Sequence, residues 1–177
     1  MEKYTVDTIN SEISFSVRYL EFCTVEGRFT SFNGQVEVPA INAIQNSTIE
    51  FEVDVASINT LEPGRDQHLI SADFFYADKY PKILFKKTNI EYINCSSFDL
   101  IGELQIKDIS KDVLFKVVPV PKTDKNNNNS IDSYIYKCTA SILRADFGLT
   151  YGSFLEASTH FIDKVIHINL KIVLQKI

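Results

Sequence analysis

Apolar and polar residues alternate strictly through Ile13-Ser14-Phe15-Ser16-Val17-Arg18-Tyr19. Strand side chains point to opposite faces in turn, so this run has one dry face and one wet face. Ile49-Glu50-Phe51-Glu52-Val53-Asp54-Val55 repeats the pattern, with acids on the wet face. Val25 to Val38 reads as one long or broken strand, with Gly27 and Gly34 as the expected bend points. Tyr4-Thr5-Val6-Asp7 also has strand character. Further strands are expected over Ile83 to Tyr92, Phe98 to Ile106, Val113 to Val118, Tyr134 to Leu143 and Val165 to Leu174. Gly102 falls on the apolar side of its strand, and His167, Asn169 and Lys171 fall on a polar side.

Short loops separate these segments, so the strands form an antiparallel meander; parallel neighbours would need crossover helices. One stretch breaks the rhythm. Gly64 to Phe75 lacks alternation and reads as a short helical insertion, punctuated by Pro63 before it and Pro81 after it, near residues 64–78. Asp124 to Ser130 is a polar loop between two strands. There is no internal repeat and no linker, so residues 1–177 read as a single domain.

About eight alternating strands can stack as a sandwich or close into a barrel, which removes the edges that invite aggregation. An eight-stranded barrel is either filled by its side chains or hollow enough for one small ligand. Strands of about nine residues reach roughly 30 Å, which favours an elongated cavity. The candidate inward residues are Ile13, Phe15, Val17, Phe51, Val53, Leu100, Leu104 and Ile142. A tube lined this way would take a long apolar chain. A solidly packed core is the competing reading from periodicity alone.

Composition narrows the functions. The chain has 177 residues, 45% of them hydrophobic and 23% charged, and a net charge of -5. A nucleic-acid surface wants the opposite charge balance. No apolar run approaches the roughly 20 residues of a spanning helix, and no basic, apolar leader opens the chain. As given it reads as cytoplasmic, or periplasmic if a leader was removed. Cys23, Cys95 and Cys138 are odd in number and scattered, without Cys/His spacing for a metal, and no cofactor is implied.

Three blocks carry more than the alternation. The first joins Thr5-Val6-Asp7, Ile13 to Val17, Val25-Glu26-Gly27-Arg28-Phe29 and Phe32-Asn33-Gly34. The second joins Ile58-Asn59-Thr60, Gly64-Arg65-Asp66-Gln67-His68-Leu69, Asp73-Phe74-Phe75 and Tyr80 to Phe85. The third joins Gly102-Glu103-Leu104-Gln105-Ile106 with Arg144-Ala145-Asp146-Phe147-Gly148. In this order the chain resembles the YceI-like, lipid- or polyisoprenoid-binding family from about Tyr4 to Leu174. Tyr4 stands where many relatives begin their first strand with Trp. The resemblance implies an all-β fold: an extended eight-stranded antiparallel lipocalin-like barrel with a long apolar pocket. It further implies binding or carriage of a long-chain amphiphile, such as a polyisoprenoid, an isoprenoid quinone tail or a fatty amide, by a bacterial protein that can form a homodimer.

Candidate ligand-binding residues are then Phe15, Val17, Phe51, Val53, Arg65, His68, Leu69, Phe74, Leu100, Leu104, Ile142 and Arg144. Arg65 and His68 are expected at the barrel mouth beside a polar head group, since a guanidinium suits phosphate or carbonyl oxygens. The structural alternative has Arg65 and Asp66 fixing the helix to the barrel. Arg144 and Asp146 either serve a head group or tie down their turn. His160 and His167 stand alone, and Gly152-Ser153 lacks a nucleophile-elbow context. The expectation is therefore a binding protein. The alternative is an enzyme using acid–base chemistry at His68 or Asp66 on a hydrophobic molecule, and a scaffold acting through a protein partner ranks last.

Overall fold

A computed structural model of the chain describes residues 1–19, 23–39, 44–94, 96–121, 133–150 and 162–177. Its strands are β1 (Glu2–Val6), β2 (Glu12–Tyr19), β3 (Cys23–Phe29), β4 (Phe32–Val38), β5 (Thr48–Asp54), β6 (Ile58–Asn59), β7 (Lys82–Asn94), β8 (Ser97–Ile106), β9 (Ile109–Val120), β10 (Ser133–Leu143) and β11 (Ile162–Lys176). They join in one antiparallel sheet in the order β1-β4-β5-β7-β8-β9-β10-β11-β2-β3-β6, and β1 also pairs with β11. That last pairing closes the sheet.

The barrel has eight staves because three of them are broken strands. The edge of β11 is shared: Leu174 to Lys176 pair with β1, and Ile162 to Lys171 pair with β2. Likewise β4 pairs with β1 while β3 pairs with β2, and β5 pairs with β4 while β6 pairs with β3. Thus β1/β2, β3/β4 and β5/β6 are each one stave with a kink.

The kinks are stitched together. Asp7 accepts from the N–H groups of Ile9 and Asn10, from the Asn10 amide at 2.7 Å, and from Gln175 on β11 at 2.6 Å. The Asp7 and Ser11 sides of the turn also bond to Val173. Thr30 donates to Ser57, the Ser57 hydroxyl donates to the Ser31 carbonyl, and Asp54 bonds to Ser31. Such kinks let long, twisted strands bend enough to close.

The kink of the β3/β4 stave lies at Thr30 and Ser31, not at Gly27 or Gly34 as the sequence suggests. Those glycines sit inside their strands and make room for rings. A Cβ at Gly27, Gly34 or Gly102 would lie under 3.0 Å from the ring of Phe15, Phe51 or Phe85 respectively. Phe15 is the direct cross-strand partner of Gly27, and Phe51 of Gly34. Each ring lies down on the bare backbone of the neighbouring stave and stays on the inner face.

The outer face carries charge. On β5, Glu50, Glu52 and Asp54 point outward as expected and meet lysines of β7: Lys86 bonds to Glu50 at 3.2 Å, and Lys82 to Glu52 at 2.8 Å and Asp54 at 2.7 Å. Burial in β8 alternates from Phe98 to Ile106, with Asp99, Ile101, Glu103 and Gln105 on the more exposed face. The helical insertion is shorter than its expected span. Helix α1 covers Pro63–Ile70, and turns follow to residue 79. Among the described residues no helix is long and apolar enough to cross a membrane.

Two outcomes test this account. Gly102→Ala should destabilise the fold by about 1–3 kcal/mol in urea unfolding, and Phe85→Leu should restore only part of it, because the Lys86 carbonyl also crowds that Cβ. Gly27→Ala, whose nearest neighbours are all atoms of the Phe15 ring, should be largely rescued by Phe15→Leu. The second concerns Asp7. The Asn10 side chain, with backbone N–H groups and Gln175, holds its carboxyl below the usual carboxylate range despite an opposing effect of burial. A depressed folded value means this contribution is complete above the ordinary carboxylate pKa and is lost as pH falls through the depressed value. Asp7→Asn should therefore lower stability near neutral pH and flatten its fall in acid, read from urea midpoints across the acid range.

Candidate functional site: an apolar tube through the barrel

The inward side chains do not meet across the barrel. They enclose an elongated cavity of about 950 Å³. On β11 its wall runs from Ile162 through Ile166, Ile168, Leu170 and Ile172 to Leu174. At about 3.3 Å per residue and the tilt usual for barrel strands, that stretch spans roughly 30 Å along the axis. The cavity is therefore long and narrow, a shape that suits an extended chain.

Its middle is carbon. Phe15, Val17, Phe51, Val53, Leu100, Leu104 and Ile142 all line it, as does Ile13. So do Phe29, Phe85 and Phe115, which lie in expected strands but outside the expected set. The rings brace one another: Phe15 and Phe29 centroids are 5.7 Å apart, and Phe85 and Phe115 meet edge-on at 5.3 Å. Edge-on contacts of this kind hold rings against the wall. Cys138 is buried in the same wall, and desolvation pushes its thiol up to about 12, so it stays protonated and unreactive. Cys23 is exposed, and Cys95 lies outside the described residues.

Helix α1 and the turns after it form one end. Strand β6 covers only Arg28 and Phe29 of β3, so among the described residues the outer edge of β3 from Cys23 to Gly27 has no strand partner. Phe75, beyond α1, meets Phe29 edge-on at 6.3 Å and continues the wall here. Leu69, Phe74, Arg65 and His68 face the cavity from this segment. The helix starts where it does because Glu62 caps it, accepting from the N–H groups of Gly64 at 3.1 Å and Arg65 at 2.6 Å. Pro63 fills the first helical position, where no N–H is needed.

Arg65 and Asp66 tether this helix through buried Thr60. Arg65 donates through Nε to Thr60 Oγ1 and through Nη2 to the Thr60 carbonyl, both at 2.8 Å. Asp66 accepts from the Thr60 N–H at 2.9 Å and from its hydroxyl at 2.5 Å. The structural alternative read from the sequence describes these two residues well, although Arg65 keeps a face on the cavity. His68 Nε2 lies 3.1 Å from Asp73 Oδ2, and its ring stands edge-on to Phe74 at 5.1 Å.

Arg144 reaches the same cavity from the 3-10 turn Arg144–Phe147 that follows β10. Gly148, at φ 60°, ends this turn in the left-handed region that glycine adopts freely. Phe147 is buried beneath it, and buried Arg144 donates through Nη1 to the Leu149 carbonyl at 3.3 Å. Asp146 is exposed. The other end of the tube is lined by Glu2, Tyr4, Tyr134 and Tyr136. The Tyr4 hydroxyl donates to Glu2 Oε2 at 2.8 Å, and Lys176 bonds to Glu2 Oε1 at 2.7 Å. Nothing local in the sequence places Glu2 here, since that depends on the pairing of β1 with β11.

Every residue expected to contact a ligand therefore faces this one cavity. His167 is exposed on the outer face, 2.9 Å from the Ser141 hydroxyl. His160 and the Gly152-Ser153 pair lie outside the described residues. Among the described residues no group of three or more His, Cys, Asp or Glu could hold a metal ion.

Residues 4–174 match the family model described as the YceI-like domain. The UPF0312 protein SAS2572 of Staphylococcus aureus is 30% identical over 156 residues, covering 88% of this chain and 87% of that one. Among solved structures, Burkholderia cenocepacia BcnA superposes with a TM-score of 0.81 at 21% identity, over 95% of this chain and 98% of its own. A polyisoprenoid binding domain from Saccharophagus degradans superposes with a TM-score of 0.72 at 15% identity, over 97% of each chain. These likenesses show the shared barrel.

Proposed function

This chain belongs to the YceI-like family, and from that premise we propose that it binds a single long-chain amphiphile in the barrel, as a carrier or sequestering protein. The observation that carries the reading is the tube itself, about 950 Å³ of space walled by aliphatic and phenyl side chains. Its elongated form and apolar lining suit an extended chain. The Saccharophagus degradans neighbour, described as a polyisoprenoid binding domain, favours an isoprenoid chain. A quinone tail or a fatty amide has the same elongated, apolar form.

Burial drives such binding, at about 25 cal/mol for each Å² of apolar surface withdrawn from water. A chain that fills the tube also replaces the missing contacts of its wall. Bound ligand therefore stabilises the folded protein by mass action. At the α1 end the Arg65 and Arg144 guanidinium groups and the His68 ring face the cavity. Acid–base chemistry at Asp66 draws no support from its position, because that carboxylate is engaged in holding Thr60.

A series of polyprenyl and acyl ligands of increasing length tests the proposal. Affinity should rise by about 0.8 kcal/mol for each buried methylene, then level off once the tube is full. Val17→Trp should bring that plateau to shorter chains. The proposal is overturned if native mass spectrometry detects no bound chain in protein from cells and calorimetry detects no uptake of any member of the series.

A further inference from the structure

The two ends of the tube differ in what they offer a ligand. At the α1 end, Arg65 already donates to both oxygens of Thr60, and Arg144 donates to the Leu149 carbonyl. At the opposite end stand hydroxyl groups. We infer that this second end recognises the ligand's polar group, through a hydrogen bond between the Tyr136 hydroxyl and a neutral hydroxyl or carbonyl oxygen on the ligand. This deepens the proposed function and rests on it.

Four observations carry the inference. Tyr136 lies on the inward face of β10 between Tyr134 and Cys138, and all three line the tube. It is held in place by its pairings with Ile172 on β11 and Pro119 on β9, and its ring stands edge-on to Phe98 at 6.4 Å. Its hydroxyl makes no hydrogen bond to a described residue, whereas the nearby Tyr4 hydroxyl is committed to Glu2. Finally, desolvation first, then the neighbouring Tyr134, raises its phenol above the ordinary value, so the group stays a neutral O–H.

A phenol in an apolar wall is an offer of one donor and two acceptor lone pairs. A pure hydrocarbon filling the tube would strip it of water and give nothing back. An oxygen on the ligand restores the bond. Charge decides which oxygen. Glu2 lines the same end, so an anionic head group would approach a carboxylate, even one bonded to Lys176. A neutral alcohol, ketone or amide carbonyl meets no such repulsion. The ligand class is thus a long chain ending in a neutral oxygen-bearing group, oriented with that group toward Tyr136 and its tail toward α1.

Hexadecanol and hexadecane, competed against a fluorescent fatty probe, separate the possibilities. Tyr136→Phe should weaken hexadecanol by roughly fivefold to tenfold and leave hexadecane within about twofold. Tyr76→Phe, which removes an exposed hydroxyl outside the tube wall, should change neither. The inference is overturned if Tyr136→Phe shifts the alcohol no more than the alkane, while both still bind. If neither compound displaces the probe and the probe itself does not bind, the binding function falls and this assignment falls with it.

Discussion

The structure depends on a width that its side chains do not span. Eight closed staves fix the circumference, and the inward residues are then too short to meet across it. Protein interiors normally pack like organic crystals. Here the close packing stops at the wall, where each apolar side chain has neighbours on one flank and open space on the other. That arrangement forgoes dispersion contacts along the whole tube. It persists because β1, β4, β5 and β7 to β11 close into a ring of paired strands, and because β11 serves both halves of the first stave.

Three details keep the space open. Phe15, Phe51 and Phe85 lie flat over glycines of the adjoining stave instead of reaching inward. The kinks at residues 30–31 and 55–57 are fastened to each other, and the kink at residues 7–11 is fastened to β11, by hydrogen bonds that set the curvature of the wall. Helix α1 is tied by Arg65 and Asp66 to Thr60, so the segment that supplies Leu69 and Phe74 has a fixed base. Polar groups gather at the two ends and leave the middle dry, which is the distribution a long amphiphile requires.

Much of this is legible in the alternation. The period of two places Phe15, Val17, Phe51, Val53, Leu100, Leu104 and Ile142 on one face, and all face the cavity. It also places Glu50, Glu52 and Asp54 outside, where they meet lysines. The glycines mislead, because a strand glycine marks either a bend or a close approach, and the distinction lies in the neighbouring strand. The sequence of one stave does not state that Phe15 will face Gly27. The tyrosine end is hidden for the same reason. Glu2, Tyr4 and Tyr134 come together only when the first and last strands pair, a register that no local pattern encodes. The motif residues Arg65 and Asp66 stand out in the sequence, yet their hydrogen bonds go to Thr60 at the foot of the helix.

The most direct test is a high-resolution crystal structure of the protein purified with its natural contents. The account predicts continuous tubular density along the barrel axis, running between the levels of Ile162 and Leu174. Side chains of opposite walls interlocked along the axis, with no space between them, would contradict it.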